Sequence, residues 1–183
     1  MDKKTEFFTA KRVAILGTMT AAAYLLALVS FPIFPVVPFL KLDFSFAVML
    51  LAGYMLGPLS AAIMAIVVNL LGAIGSLGGI TGAIANTSTA LVFVVLPTLV
   101  YKWKKGFKWV VIVLTVCSIL EIFVALITNR FINYPLYYKD LAKAQFELQF
   151  WFLVAFNAIK CVSNGIITIL LYKRLKNLLG KFL

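Results

Sequence analysis

Long apolar runs, separated by short basic clusters, set the pattern of this chain. Apolar residues fill about 13–31, 45–72, 81–101, 109–129 and 147–172 with few interruptions, and a helix needs runs of that length to cross roughly 30 Å of hydrocarbon. Lys3, Lys4, Lys11 and Arg12 precede the first run, Lys102, Lys104, Lys105 and Lys108 follow the third, and Lys173, Arg174, Lys176 and Lys181 close the chain. Such clusters mark cytoplasmic helix ends. An even number of spans must then separate the first cluster from the second, so the run over 45–72 has to hold two helices. Gly57-Pro58 supplies the break, since proline has no N–H to donate and the pair favours a turn. The pattern predicts one all-α membrane domain over 1–183, with six spans near 12–31, 45–56, 59–75, 82–101, 109–129 and 147–172 and both termini cytoplasmic. Twelve residues rise only about 18 Å, so the second span is expected to be shielded by its neighbours and to line a cavity.

Composition agrees with lipid as the solvent, at 63% hydrophobic and 13% charged residues over 183 positions. The net charge of +11 lies beside the apolar runs, and no nucleic-acid motif accompanies it. Cys117 and Cys161 fall inside apolar runs, where a thiol acts as a small hydrophobe, so no disulfide framework is implied. Histidine is absent and no Cys/Asp/Glu cluster exists, which leaves neither a metal site nor a Ser/His or Cys/His catalytic arrangement. An enzyme is not expected. No P-loop pattern occurs either, so the chain cannot use ATP itself in that manner. Basic residues ahead of the first run, with Ala21-Ala22-Ala23 inside it, resemble a signal peptide, but the run continues to about residue 31 and reads as an uncleaved span.

Lys160 sits deep in the sixth span, with Asn157 and Asn164 one turn to either side. A lysine at mid-bilayer costs roughly 3 kcal/mol, so this face is either a ligand site or a buried polar contact. Glu121, in the fifth span, lies at a matching depth and is expected to neutralise Lys160 as a buried pair. The connection over 32–45 carries Pro32, Pro35 and Pro38 and is a candidate lid. The connection over 130–140 is rich in tyrosine, which favours an interfacial aromatic belt over ligand stacking for Tyr137 and Tyr138. Gly72, Gly75, Gly78, Gly79 and Gly82 suggest a flexible third connection. In the first span, Gly17 and Ala21 are four apart and Ala14, Thr18 and Ala22 form an adjoining small-residue stripe, suited to close packing within the chain or against a partner.

Several segments, in order and spacing, resemble a known family over nearly the whole chain. They are Pro38-Phe39-Leu40-Lys41-Leu42-Asp43-Phe44-Ser45, Leu56-Gly57-Pro58-Leu59, Ala85-Asn86, Asn129-Arg130-Phe131 with Pro135-Leu136-Tyr137, and Phe156-Asn157-Ala158-Ile159-Lys160 with Leu171-Tyr172-Lys173-Arg174-Leu175. The family is that of the substrate-binding S components of energy-coupling-factor (ECF) vitamin transporters, most of all their riboflavin-specific branch. The resemblance implies a six-helix bundle whose vitamin site opens outward under the loop after span one. Asn129, Asn157 and Lys160 would hold the ligand's polar groups, with Leu40, Asn86 and Asn164 nearby, and Phe39, Phe44, Tyr137 or Trp151 would face a flat ring. Gly17 and Ala21, with Ala14 and Thr18, would face a transmembrane coupling subunit bound to two ATPases. The chain would have no cofactor of its own, would sit multi-pass in a bacterial plasma membrane, and would topple in the bilayer while its partners hydrolyse ATP. Two alternatives stay open: another vitamin such as pantothenate, whose carboxylate suits Lys160 if Glu121 leaves it free, and a self-sufficient proton-coupled carrier of small solutes using Glu121.

Overall fold

The computed structural model describes residues 9–74 and 79–179, with side chains as far as Arg174, so Lys3, Lys4, Gly75, Gly78, Lys176 and Lys181 lie outside the described side chains. Helix α1 (Ala10–Leu28) begins where the Thr9 hydroxyl accepts a hydrogen bond from the Arg12 N–H. It packs on α2 (Ser45–Leu56) and α3 (Pro58–Ala73), yet Ala23 is its one buried residue. The connection after α1 was expected to be all loop. Instead it folds back through a two-residue antiparallel pairing, β1 (Phe31–Pro32) with β2 (Lys41–Leu42).

Ten of the twelve residues of α2 are buried, so this short helix is the centre of the bundle and has no need to reach either face. Gly57 ends it with φ of 96°, a left-handed conformation that disfavours a side chain, and its N–H closes on the Gly53 carbonyl at 2.8 Å. Pro58 then opens α3 at a position where no donor is required. Gly53 is small for a different reason: a Cβ there would collide with the Thr98 side chain and lie 2.9 Å from the Ala61 Cβ.

Helix α4 (Gly79–Ala90) passes through a π-helical turn, Leu91–Val95, into α5 (Leu96–Tyr101). Helix α6 (Phe107–Thr128) likewise passes through a π turn, Asn129–Asn133, into α7 (Tyr134–Tyr138). Both wide turns end two residues before a proline, Pro97 and Pro135, whose ring would crowd the carbonyl four residues back in a regular α-helix. The segment 130–140, expected as an outer loop, is therefore helical almost throughout. Lys139, with φ of 50°, breaks it, and a single 3₁₀ turn leads into the long α8 (Ala142–Leu179). Phe107 meets Tyr172 and Glu121 meets Cys161, so α8 runs antiparallel to α6.

One end of the bundle is closed by tyrosines: Tyr101 and Tyr172 share a hydrogen bond at 2.8 Å, and the Tyr54 ring lies 4.9 Å from that of Tyr101. The exterior is apolar, with Leu28, Phe123, Trp151 and Leu170 all more than half exposed, a surface that belongs against lipid. By length and composition, the stretches Ala10–Leu28, Gly79–Tyr101 and Phe107–Arg174 can cross a membrane, and Ser45–Leu56 and Pro58–Ala73 are shorter apolar helices.

Replacing Gly53 by Val should overpack the contact of α2 with α3 and α5 by about 1–3 kcal/mol and lower the melting temperature of detergent-purified protein by several degrees. Gly17→Val should leave melting unchanged, because nothing lies within 4 Å of the Cβ it would add.

Candidate functional site

The connection between α1 and α2 is pinned as a roof by its own apolar residues. Val37, Leu40 and Leu42 are buried, Phe34 meets Phe152 edge-on at 5.3 Å, and Phe39 lies 6.4 Å from Tyr134 and 6.1 Å from Tyr137. Beneath it lies a cavity of ≈ 170 Å³, space on the order of ten waters. Phe39, Leu40 and Lys41 line it from the roof, Asn69 from α3, Asn86 and Thr89 from α4, and Phe156 and Asn157 from α8. The π turn contributes Asn129 and Asn133, four residues apart and joined by a hydrogen bond of 3.2 Å, and α7 adds Tyr134, Tyr137 and Tyr138. Pro135 thus has a functional consequence, since the turn it widens is the one that carries both asparagines.

Lys160 stands behind this wall rather than in it, 1% exposed. Its Nζ donates to the Asn86 Oδ1 at 2.9 Å, lies 3.6 Å from the Asp43 Oδ2 and sits 4.2 Å over the Phe46 ring. The expected partner was Glu121, and the structure replaces it with Asp43. The roof re-enters the bundle and carries Asp43 down to the lysine, whereas Glu121 on α6 instead accepts from the Cys161 Sγ at 3.2 Å. The other carboxylate oxygen of Asp43 takes the Ser45 N–H at 2.9 Å and also the Ser45 hydroxyl.

Asn164, expected at the ligand, is fully buried and braces this joint. Its Nδ2 donates to the carbonyls of Asp43 and Lys160 at 2.9 and 3.0 Å, and its Oδ1 accepts the Ala47 N–H at 2.9 Å. Phe44 at the start of α2 provides no side-chain cap, and the Ala47 N–H of the first turn is shared between a long 3.3 Å bond to the Phe44 carbonyl and the shorter one to Asn164 from across the bundle. Phe44 itself packs with the apolar cluster around Leu153 and Phe156, and Trp151 points outward, three-quarters exposed, so neither lines the cavity.

Asn69 and Asn133 are among the lining residues that were not anticipated from the sequence. Asn69 Nδ2 and Asn133 Oδ1 are buried polar atoms without a hydrogen-bond partner, one a donor and the other an acceptor. A polar residue near the end of an apolar helix was the available signal for Asn69, and the proximity of Pro135 was the signal for Asn133. The Tyr134 hydroxyl donates to the Gln149 Oε1 at 2.6 Å. The site therefore offers amides, hydroxyls and aromatic faces, with the Asp43 carboxylate balanced from behind by Lys160 and Lys41 contributed by the roof. That inventory suits binding rather than bond-making.

The model of the family described as "ECF transporter, substrate-specific component" matches residues 11–172. The chain belongs to this family. As an S component it is a transporter's substrate-binding part and not an enzyme. It is 34% identical over 176 residues to a protein of Staphylococcus aureus (strain TCH60) named riboflavin transporter RibU, covering 93% of each chain. Its fold superposes with a TM-score of 0.80, at 34% identity, on a solved structure described as "Structure and mechanism of the S component of a bacterial ECF transporter", covering 92% of this chain and 97% of that one.

Lys160→Met in this S component should strand a buried Asp43 and cost about 3–5 kcal/mol, read as a fall in melting temperature. Adding Asp43→Asn to the same chain should restore part of that loss. Full stability of the single variant would show that the pair does not hold the roof down.

Proposed function

We propose that this S component captures riboflavin with high affinity and delivers it through an ATP-driven coupling module. The observation that carries the reading is the set of groups around the cavity: the buried Lys160 is balanced by Asp43, and the polar groups facing the space are mostly amides, hydroxyls and tyrosines, with Lys41 of the roof the one lysine in the described lining. A flat, uncharged heteroaromatic ring with a polyhydroxyl chain needs that set, with Asn129, Asn157, Asn69 and Asn133 for its donors and acceptors and Phe39 and Tyr137 for its faces. A carboxylate such as that of pantothenate would find Lys160 already paired. The named function of the Staphylococcus aureus relative supports the same ligand. Glu121 lies outside the cavity lining, so a proton-coupled carrier built on it has no support from the geometry.

The partners follow from the outer face of α1. Ala14, Gly17, Thr18 and Ala21 are all exposed, so the small-residue stripe is unused within the chain and fits close approach by a transmembrane coupling subunit carrying two ATPases. In this reading the six spans lie in a bacterial plasma membrane, with the basic end of the bundle and both termini in the cytoplasm.

Titrating detergent-purified protein with riboflavin should quench flavin fluorescence at one-to-one stoichiometry, and pantothenate should not compete. Asn157→Leu should weaken riboflavin binding more than about tenfold, with melting close to the parent's. If affinity is unchanged, Asn157 does not touch the ligand. Gly17→Leu should keep full binding yet lose uptake when co-produced with the coupling subunits, and surviving uptake would remove the stripe from the docking face.

A further inference from the structure

The turn joining α5 to α6 lies outside the cavity lining and carries a dense run of positive charge. Lys102, Lys104, Lys105 and Lys108 fall within seven residues, interleaved with Trp103, Phe107 and Trp109. All four lysines are exposed, Trp103 is 72% exposed, and Gly106, with φ of 124°, makes the tight reversal that presents them together. The Phe107–Tyr172 contact brings the exposed Lys173 and Arg174 of α8 to the same end. None of the four lysines has an ion-pair partner among the described residues. The described carboxylates lie elsewhere: Asp43 and Glu121 are buried, while Asp140 and Glu147 belong to the turn and helix start that follow α7. This basic end is separated from Asn129 in the cavity by the 22 residues of α6, about 33 Å, which is one membrane thickness.

What meets this charge is indicated by the surface that continues from it. Trp109, Ile112, Val116, Leu120, Phe123 and Ile127 are exposed and recur at helical spacing, forming one apolar stripe down α6. The Lys104 Nζ sits 4.0 Å over the Trp109 ring, so a cation is held where the stripe begins. A phosphate diester would meet lysines at that point while its acyl chains followed the stripe.

We propose that the α5–α6 turn, with the head of the α6 stripe, is a binding site for anionic phospholipid headgroups. The site fixes this end of the bundle at the level of the headgroups. It rests on the membrane placement given above but not on the identity of the vitamin.

The test uses the full chain in nanodiscs of phosphatidylcholine with a minor fraction of phosphatidylglycerol, followed by detergent extraction and native mass spectrometry of retained lipid. The parent should retain phosphatidylglycerol far above its share of the bilayer. Each of Lys104→Gln, Lys105→Gln and Lys108→Gln should reduce that enrichment, by up to roughly fivefold per lysine. Riboflavin quenching by the same variants reports that they are folded. Excess inorganic phosphate should not displace the lipid. Retention in proportion to bilayer composition, or an enrichment that survives the triple variant, would overturn the proposal. So would displacement by phosphate alone, which would make the turn a simple anion site. A parent without lipid preference whose triple variant fails only in assembly with the coupling subunits would make it a protein-docking surface instead. Failure of riboflavin binding with lipid enrichment intact would count against the vitamin assignment and leave this site standing.

Discussion

A lysine ammonium fully enclosed among apolar helices is the constraint around which this bundle is built. Unpaired, it would be too expensive to keep, so three separate elements converge on it. Asp43 arrives from the roof, Asn86 from α4 and the Phe46 ring from α2. Asn164, one turn along α8 from the lysine, then ties the Asp43 carbonyl and the α2 N-terminus to the same helix. The consequence for function is indirect but decisive. The network locks the roof's inner end onto α8 and presents Asn86 and Asp43 to the cavity already engaged on their far sides, with the Asp43 charge balanced by Lys160. Burial of the lysine and attachment of the roof thus come from one set of contacts.

A second constraint comes from proline. Pro97 and Pro135 each follow a π-helical turn, and in both cases the ring's demand for room at the carbonyl four residues back is met by widening the helix rather than breaking it. At Pro135 the widened turn holds Asn129 and Asn133 over the cavity and delivers Tyr134, Tyr137 and Tyr138 to its rim. A backbone irregularity, local in origin, therefore supplies two asparagines and three tyrosines of the site's lining.

The two ends of the molecule divide its work. At one, aromatic roof residues and amides enclose the cavity; at the other, Tyr54, Tyr101 and Tyr172 seal the core, and the lysine turn faces outward. Between them the outer surface is apolar, apart from the small-residue stripe of α1, where Gly17 meets nothing within 4 Å. Burying α2 at the centre is what lets a helix of twelve residues serve in a membrane fold, because its ends contact protein rather than lipid or water.

By itself the sequence determined the apolar segments, the break at Gly57-Pro58, the unusual burial of Lys160 and the family, because each depends on composition, local backbone chemistry or order along the chain. It also pointed to Asn86, Asn129 and Asn157, all of which line the cavity. Tertiary structure alone decided which carboxylate meets Lys160. Matching depths along straight helices favoured Glu121, and only the folding back of the roof could bring Asp43 to it. The same applies to Asn164, whose spacing suggested ligand contact, and to Phe44, for which the family resemblance did, since their neighbours turn them to bracing and packing, and to Asn69 and Asn133, which become site residues because separate helices enclose a common space. Periodicity along one helix specifies a face. What that face meets depends on contacts between residues more than a hundred positions apart, such as Ala47 and Asn164, which no local pattern encodes.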